Sequence, residues 1–183
     1  MSAVKELPYL EHAQNGVRRV SRDIFTDPDL FEMEFPRIWE KVWVYAAHES
    51  EIEKPRSFVT RWVGRIPIIV NRTKNGDINA MVNVCSHRGA TLARVSKGSR
   101  ANFVCSFHGW AFDETGGLIA PMNEKDAGYP EDFDKEKLGL KKLRVANYKG
   151  FIFVTLNEDA EPIEDHLVPV IFNTGAYKAF NSW

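Results

Sequence analysis

Cysteine is scarce in this chain: 183 residues carry two, Cys85 and Cys105, beside five histidines. A fold of this length with so few thiols has no disulfide framework to lean on. If both cysteines are metal-bound thiolates, a reducing, cytoplasmic compartment is expected. No run of about eighteen apolar residues occurs, so no membrane span is expected. The N-terminus has no signal-peptide core, and there is neither an internal repeat nor a low-complexity tract. A net charge of −1 speaks against a nucleic-acid partner. Acids are missing locally too: none lies between Ile78 and Phe112, a stretch that holds Arg88, Arg94, Lys97 and Arg100. They return at once in Asp113, Glu114, Glu124, Asp126, Glu131, Asp132, Asp134 and Glu136, set against Lys125 and Lys135. What is present, 44% apolar residues, is enough to fill one globular core.

Both cysteines lie next to histidines. Cys85-Ser86-His87 is followed, further along, by Cys105-Ser106-Phe107-His108. Each knuckle thus supplies one thiol and one imidazole, a C-x-H…C-x-x-H pattern. Two Cys and two His are the ligand set of a Rieske [2Fe-2S] centre, in which two His replace two Cys on one iron. In that arrangement Cys85 and Cys105 would hold one iron, and His87 and His108 the other. The substitution has an electrostatic consequence. Two ferric ions, two sulfides, two thiolates and two neutral imidazoles sum formally to zero. A four-thiolate cluster is more negative, so adding an electron to it is harder. The potential therefore rises, to roughly −150 to +300 mV against about −400 mV for plant-type ferredoxins.

A tetrahedral zinc site also accepts two Cys and two His. Common zinc modules, however, group a Cys pair and then a His pair, whereas each knuckle here mixes the two.

The motifs carry a family resemblance. Asn83-Val84-Cys85-Ser86-His87-Arg88-Gly89-Ala90 and Cys105-Ser106-Phe107-His108-Gly109-Trp110 resemble the Rieske domain of aromatic-ring-hydroxylating oxygenase α subunits. The likeness extends to Phe35–Trp43 as a leading helix, to Pro67–Arg72 with Asn75-Gly76 as a central hairpin, and to Lys149–Val154 as a closing strand. It covers about residues 18 to 165. The respiratory-complex branch has two further cysteines in its knuckles. Here Ala90 and Phe107 take those places, and Trp110 stands where that branch has a hydroxyl residue bonding a sulfide. Fewer hydrogen bonds to sulfur imply a potential at the low end of the Rieske range.

The resemblance implies a mainly β fold: antiparallel sheets with cluster-binding hairpin loops, after a short N-terminal helical segment. The division expected is a helical segment over 1–40, the Rieske domain over 41–165, and a tail over 166–183 that begins a catalytic domain. In the resembled subunits that domain holds a mononuclear Fe(II) on two His and a carboxylate. His12, His48 and His166 are too scattered to make such a site, so no catalytic residue is assigned. Expected partners are a reductase or ferredoxin donor and an α-subunit trimer, with or without β subunits. A stand-alone Rieske ferredoxin-type carrier is the alternative, but it has no need of the N-terminal helix. The positive island around the cluster would suit an acidic donor or a neighbouring subunit.

Local signals place the elements. Asp27-Pro28 reads as an N-cap and first helical residue. Phe31, Phe35, Ile38, Trp39 and Val42 then share one helical face and are expected in the core, with Pro36 kinking or restarting the helix. Strands are expected over 42–46, 57–63, 67–72, 78–84 and 151–156. Asn75-Gly76 and Gly116-Gly117 mark tight turns between strands, and residues 1–20 read as irregular. Gly89 and Gly109 are expected to let backbone N–H groups approach sulfur.

Overall fold

The computed structural model describes residues 10–12, 18–122, 124, 128–130 and 132–167. The expected tail beyond residue 167 lies outside them. Residues 1–20 are not wholly irregular: β1 (Leu10–His12) pairs antiparallel with β2 (Arg18–Val20). Three residues a side are too few to leave a readable alternation.

The helical segment starts as its sequence demands. α1 (Pro28–Glu34) is capped by the Asp27 carboxylate, which accepts from the N–H groups of Asp29 at 2.8 Å and Leu30 at 3.2 Å. Pro36 has no N–H to continue the ladder. The chain widens there into a π turn over Phe35–Trp39, with Glu40 N–H donating to Phe35 O at 3.0 Å. The expected burial of this face is corrected by the structure. Phe31, Ile38 and Trp39 are exposed, and α1 buries no residue. A seven-residue helix can reach only the turn after β4 (Ser57–Val63), where Phe31, Phe35 and Trp39 line a shallow cleft with Trp62 and Gly64. That is too little surface to cover its apolar face. Arg65 holds the contact, its guanidinium 4.2 Å from the centre of the Phe35 ring and paired with Glu32.

The strand pattern is close to expectation. β3 (Val44–His48) starts two residues late, because Lys41 and Val42 still donate to Ile38 O. β5 (Ile66–Arg72) and β6 (Ile78–Val82) flank the Asn75-Gly76 turn, closed by Thr73 N–H donating to Asp77 O at 2.8 Å. With β7 (Lys97–Ser99), β11 (Lys142–Tyr148) and β12 (Phe151–Thr155) they form one antiparallel sheet ordered β3-β12-β11-β6-β5-β4-β7. A second sheet joins β8 (Asn102–Val104), β9 (Ala111–Asp113) and β10 (Leu118–Ala120), with the Gly116-Gly117 turn between the last two. No helix among the described residues is long and apolar enough to cross a membrane.

Alternate residues of the central strands build two cores. Ile68 and Val70 join Val59, Val63, Ala80, Ile152 and Val154 on one face. Ile69, between them, joins Phe58, Met81 and Phe103 on the other, in a cluster that also contains Cys85, Cys105 and Trp110. The period of two along a strand is what separates them. Burying each such side chain stabilises by about 1.5–3 kcal/mol, so the knuckles stand on a firm platform. Amides tie the small sheet to it. Buried Asn71 donates from Nδ2 to Glu114 O at 2.9 Å, and Asn79 Nδ2 donates to Asn71 Oδ1 at 3.1 Å.

Candidate metal centre

The two knuckles are the same turn. In the first, Cys85 N–H donates to Ala90 O at 2.8 Å and Gly89 N–H to Cys85 O at 2.9 Å. In the second, Cys105 N–H donates to Trp110 O at 2.8 Å and Gly109 N–H to Cys105 O at 2.9 Å. Offsets and lengths agree, although the spacings C-x-H and C-x-x-H differ. The histidine has simply moved one place within an unchanged backbone loop. Gly89 and Gly109 end the loops at φ +78° and +70°, the left-handed region that a side chain disfavours.

The glycines' own N–H groups serve the Cys carbonyls, and other backbone N–H groups of the same turns approach the sulfurs. The donors near sulfur are the N–H groups of His87 and Arg88 at Cys85, and of Phe107 and His108 at Cys105.

Each knuckle rises from its own support. The second crowns the β8–β9 hairpin, in register Asn102↔Asp113, Phe103↔Phe112 and Val104↔Ala111. The first follows β6, where one isolated bridge, Val84↔Thr91, stands in place of a ladder. Side chains fasten it. Asn83 exchanges two hydrogen bonds with Ala93, and Ser86 Oγ donates to Leu138 O at 2.6 Å.

The four predicted residues come together. Both cysteines are free and buried, and their thiols interact directly. The imidazoles of His87 and His108 lie 4.8 Å apart, nearly perpendicular, at the outer edge. His87 is exposed and stacks on the Trp110 indole at 4.7 Å and 17°. Half-buried His108 meets the ring of exposed Phe107 at 4.3 Å. Trp110 Nε1–H donates to the Tyr129 hydroxyl at 3.3 Å, and Phe133 closes the pocket behind it. Trp110 therefore both caps the core and covers one face of the His87 ring.

Ionisation follows the surroundings. Burial first, and then the neighbouring thiol, push the Cys85 thiol up. Burial pushes on Cys105 as well. The N–H groups of Phe107 and His108, the Cys85 thiol and the Arg94 guanidinium outweigh it and bring this thiol below its ordinary value. His87 is held below its ordinary value by desolvation first, then by His108 and Arg88, which favours the neutral imidazole that can ligate a metal.

The donor set fits a two-iron cluster better than a single ion. The donors stand two and two, thiols inside and imidazoles outside. A tetrahedral zinc ion needs all four around one centre.

The other histidines have ordinary work. His48 Nδ1 caps the 3₁₀ turn Glu49–Ile52, and His166 Nδ1 lies 3.0 Å from Glu161. His12 sits on β1. Arg88, Arg94, Lys97 and Arg100 are exposed, as an island of positive charge requires. It is not isolated, since the acid-rich segment turns back onto the site through Tyr129, Phe133 and Leu138. Asn83, Ser86 and Tyr129 were not foreseen. Their partners lie 10, 52 and 19 residues away, and nothing local marks them.

Comparison with known proteins adds independent support. Residues 42–144 match the family described as "Rieske [2Fe-2S] domain". Over 84% of its length the chain is 50% identical to the anthranilate 1,2-dioxygenase large subunit of Acinetobacter baylyi. Over 86% it is 46% identical to the toluate 1,2-dioxygenase subunit alpha of Pseudomonas putida. It covers 32% and 35% of those relatives, about a third of their length. A solved naphthalene 1,2-dioxygenase with bound indole superposes with a TM-score of 0.76 at 41% identity, over 79% of this chain and 32% of that one.

Proposed function

Because this chain belongs to the Rieske [2Fe-2S] domain family, we propose that Cys85 and Cys105 hold one iron of the cluster and His87 and His108 the other. When bound, such a cluster takes up and releases one electron at a time. The observation that carries the assignment is the pairing of donors across two identical turns, thiols facing inward and imidazoles outward. The chain's own groups set the conditions. N–H groups of His87, Arg88, Phe107 and His108 offset thiolate charge. Trp110 keeps water from one side of His87, while the exposed edge of that ring leaves a short path for an electron.

The wider reading is that the chain serves as the electron-relaying part of an aromatic-ring-hydroxylating oxygenase large subunit. It would take electrons from a reductase or ferredoxin and pass them toward a mononuclear iron held outside the chain, across a subunit contact in an α trimer. The names of the relatives at 45–50% identity point to aromatic carboxylates: anthranilate, toluate and 2-halobenzoate. An aromatic acid is therefore the substrate class proposed for the whole protein. A reducing cytoplasm suits the two thiolates.

The test is iron and acid-labile sulfide content, with EPR of the dithionite-reduced protein. Two irons, two sulfides and a low-average-g signal are expected, with a potential near the low end of the roughly −150 to +300 mV Rieske span. One zinc, no sulfide and no signal would overturn the reading.

A further inference from the structure

The two knuckles share a loop, but only one has a ladder beneath it. Below Cys105 and Trp110 the chain continues as the paired strands β8 and β9. Below Cys85 and Ala90 comes the single bridge Val84↔Thr91, and then Asn83 faces Ala93. The Asn83 backbone N–H is committed elsewhere, donating to Pro67 O at 2.8 Å toward β5. Its side chain takes over on the other side. Nδ2 donates to Ala93 O at 2.8 Å, and Oδ1 accepts from Ala93 N–H at 2.8 Å. A primary amide can present an N–H and a C=O side by side in one plane, as a residue does in an antiparallel rung, so the pair imitates such a rung. Only this orientation of the amide satisfies both Ala93 groups. Asn83 and Ala93 are 2% and 3% exposed, so water cannot replace either bond.

We propose that Asn83 is a positioning residue: its amide clamps the ten-residue loop that presents Cys85 and His87 to Cys105 and His108. The clamp stands in for the hairpin that the second knuckle has and the first lacks. The inference rests on the cluster reading for its functional meaning, but not for its geometry.

Two variants separate this from a general role in stability. Asn83→Asp keeps shape and the acceptor and removes the donor. Asn83→Leu removes both and leaves Ala93 N–H and C=O unpaired. Hydrogen exchange of the intact protein should quicken about tenfold or more over residues 84–93, while residues 102–113 keep their wild-type rates. In the reduced protein the g-anisotropy should shift in the Asp variant. Asn83→Gln, which retains both groups, should recover part of each effect. Asn79→Ala, which breaks the remote latch at Glu114, should lower the melting temperature and leave the EPR signal alone.

Equal acceleration over both segments, or none over 84–93, would overturn the clamp, as would an unaltered g-tensor in Asn83→Asp. If Asn83→Leu fails to fold, Asn83→Asp and Asn83→Gln decide. If the wild type holds no iron or sulfide, the cluster reading fails, and the exchange contrast still decides whether Asn83 holds the loop.

Discussion

The first and second knuckles arrive at one backbone loop from unlike foundations. Cys105 and His108 top a hairpin whose strands pair residue by residue. Cys85 and His87 top a loop pinned by side chains: Asn83 on Ala93 below, Ser86 on Leu138 beside. The coverings differ as well, since His87 lies against buried Trp110 and His108 against exposed Phe107. The difference teaches that the loop is specified by its own hydrogen bonds and its left-handed glycine. What lies beneath can be ladder or amide, provided the ends are held at the spacing of a sheet.

The severest way to break the comparison is to remove a thiol. Cys85→Ser and Cys105→Ser should each abolish cluster retention, seen as loss of iron, sulfide and visible absorbance. Unequal outcomes would show that the knuckles are not equivalent holders. Next comes the asymmetry of covering. Trp110→Ala should lower unfolding stability by about 3–5 kcal/mol, and Phe107→Ala by no more than about 0.5 kcal/mol, in denaturant titrations. Comparable losses would mean that Phe107 is covered in the working protein.

The glycines sharpen the comparison further. A side chain at either φ costs roughly 1–2 kcal/mol. A Cβ on Gly109 would also come within 3.0 Å of Met122 Sδ, whereas one on Gly89 meets nothing within 4 Å. Gly109→Ala should therefore destabilise more than Gly89→Ala in thermal melts, by about 1 kcal/mol or more. Adding Met122→Ala should narrow the gap. A more local effect is expected from Ser86→Ala, which loses one partly solvated bond to Leu138 O worth about 0.5–1.5 kcal/mol. It should quicken hydrogen exchange in the first knuckle and leave the second unchanged.

Much of this was legible in the chain itself. The four donors announce themselves through residue type and spacing, and Asp27-Pro28, Asn75-Gly76 and Gly116-Gly117 mark ends and turns because each acts within a few residues. What stayed hidden depends on distance. Asn83 in Asn83-Val84-Cys85 looks like any asparagine near the end of a strand until Ala93 folds against it. Tyr129 sits in a run of acids that gives no sign of a partner, yet its hydroxyl meets Trp110. β11 alternates weakly, with only Leu143 fully buried, and takes its strand form from pairing with β6 and β12. The aromatic face of α1 misled in the opposite direction. Periodicity reports that one side is apolar and not that anything covers it.

One consequence follows from the order of the large sheet. Strand β3 lies beside β12, with His48 opposite Phe151 and Ala47 opposite Ile152. The excursion that builds both knuckles thus departs and returns at neighbouring points on one edge. A unit whose two ends meet in this way can be spliced into a host chain without prising the host apart, and its order can be permuted by joining those ends. The domain is in this sense a plug-in part, fitted through a single socket.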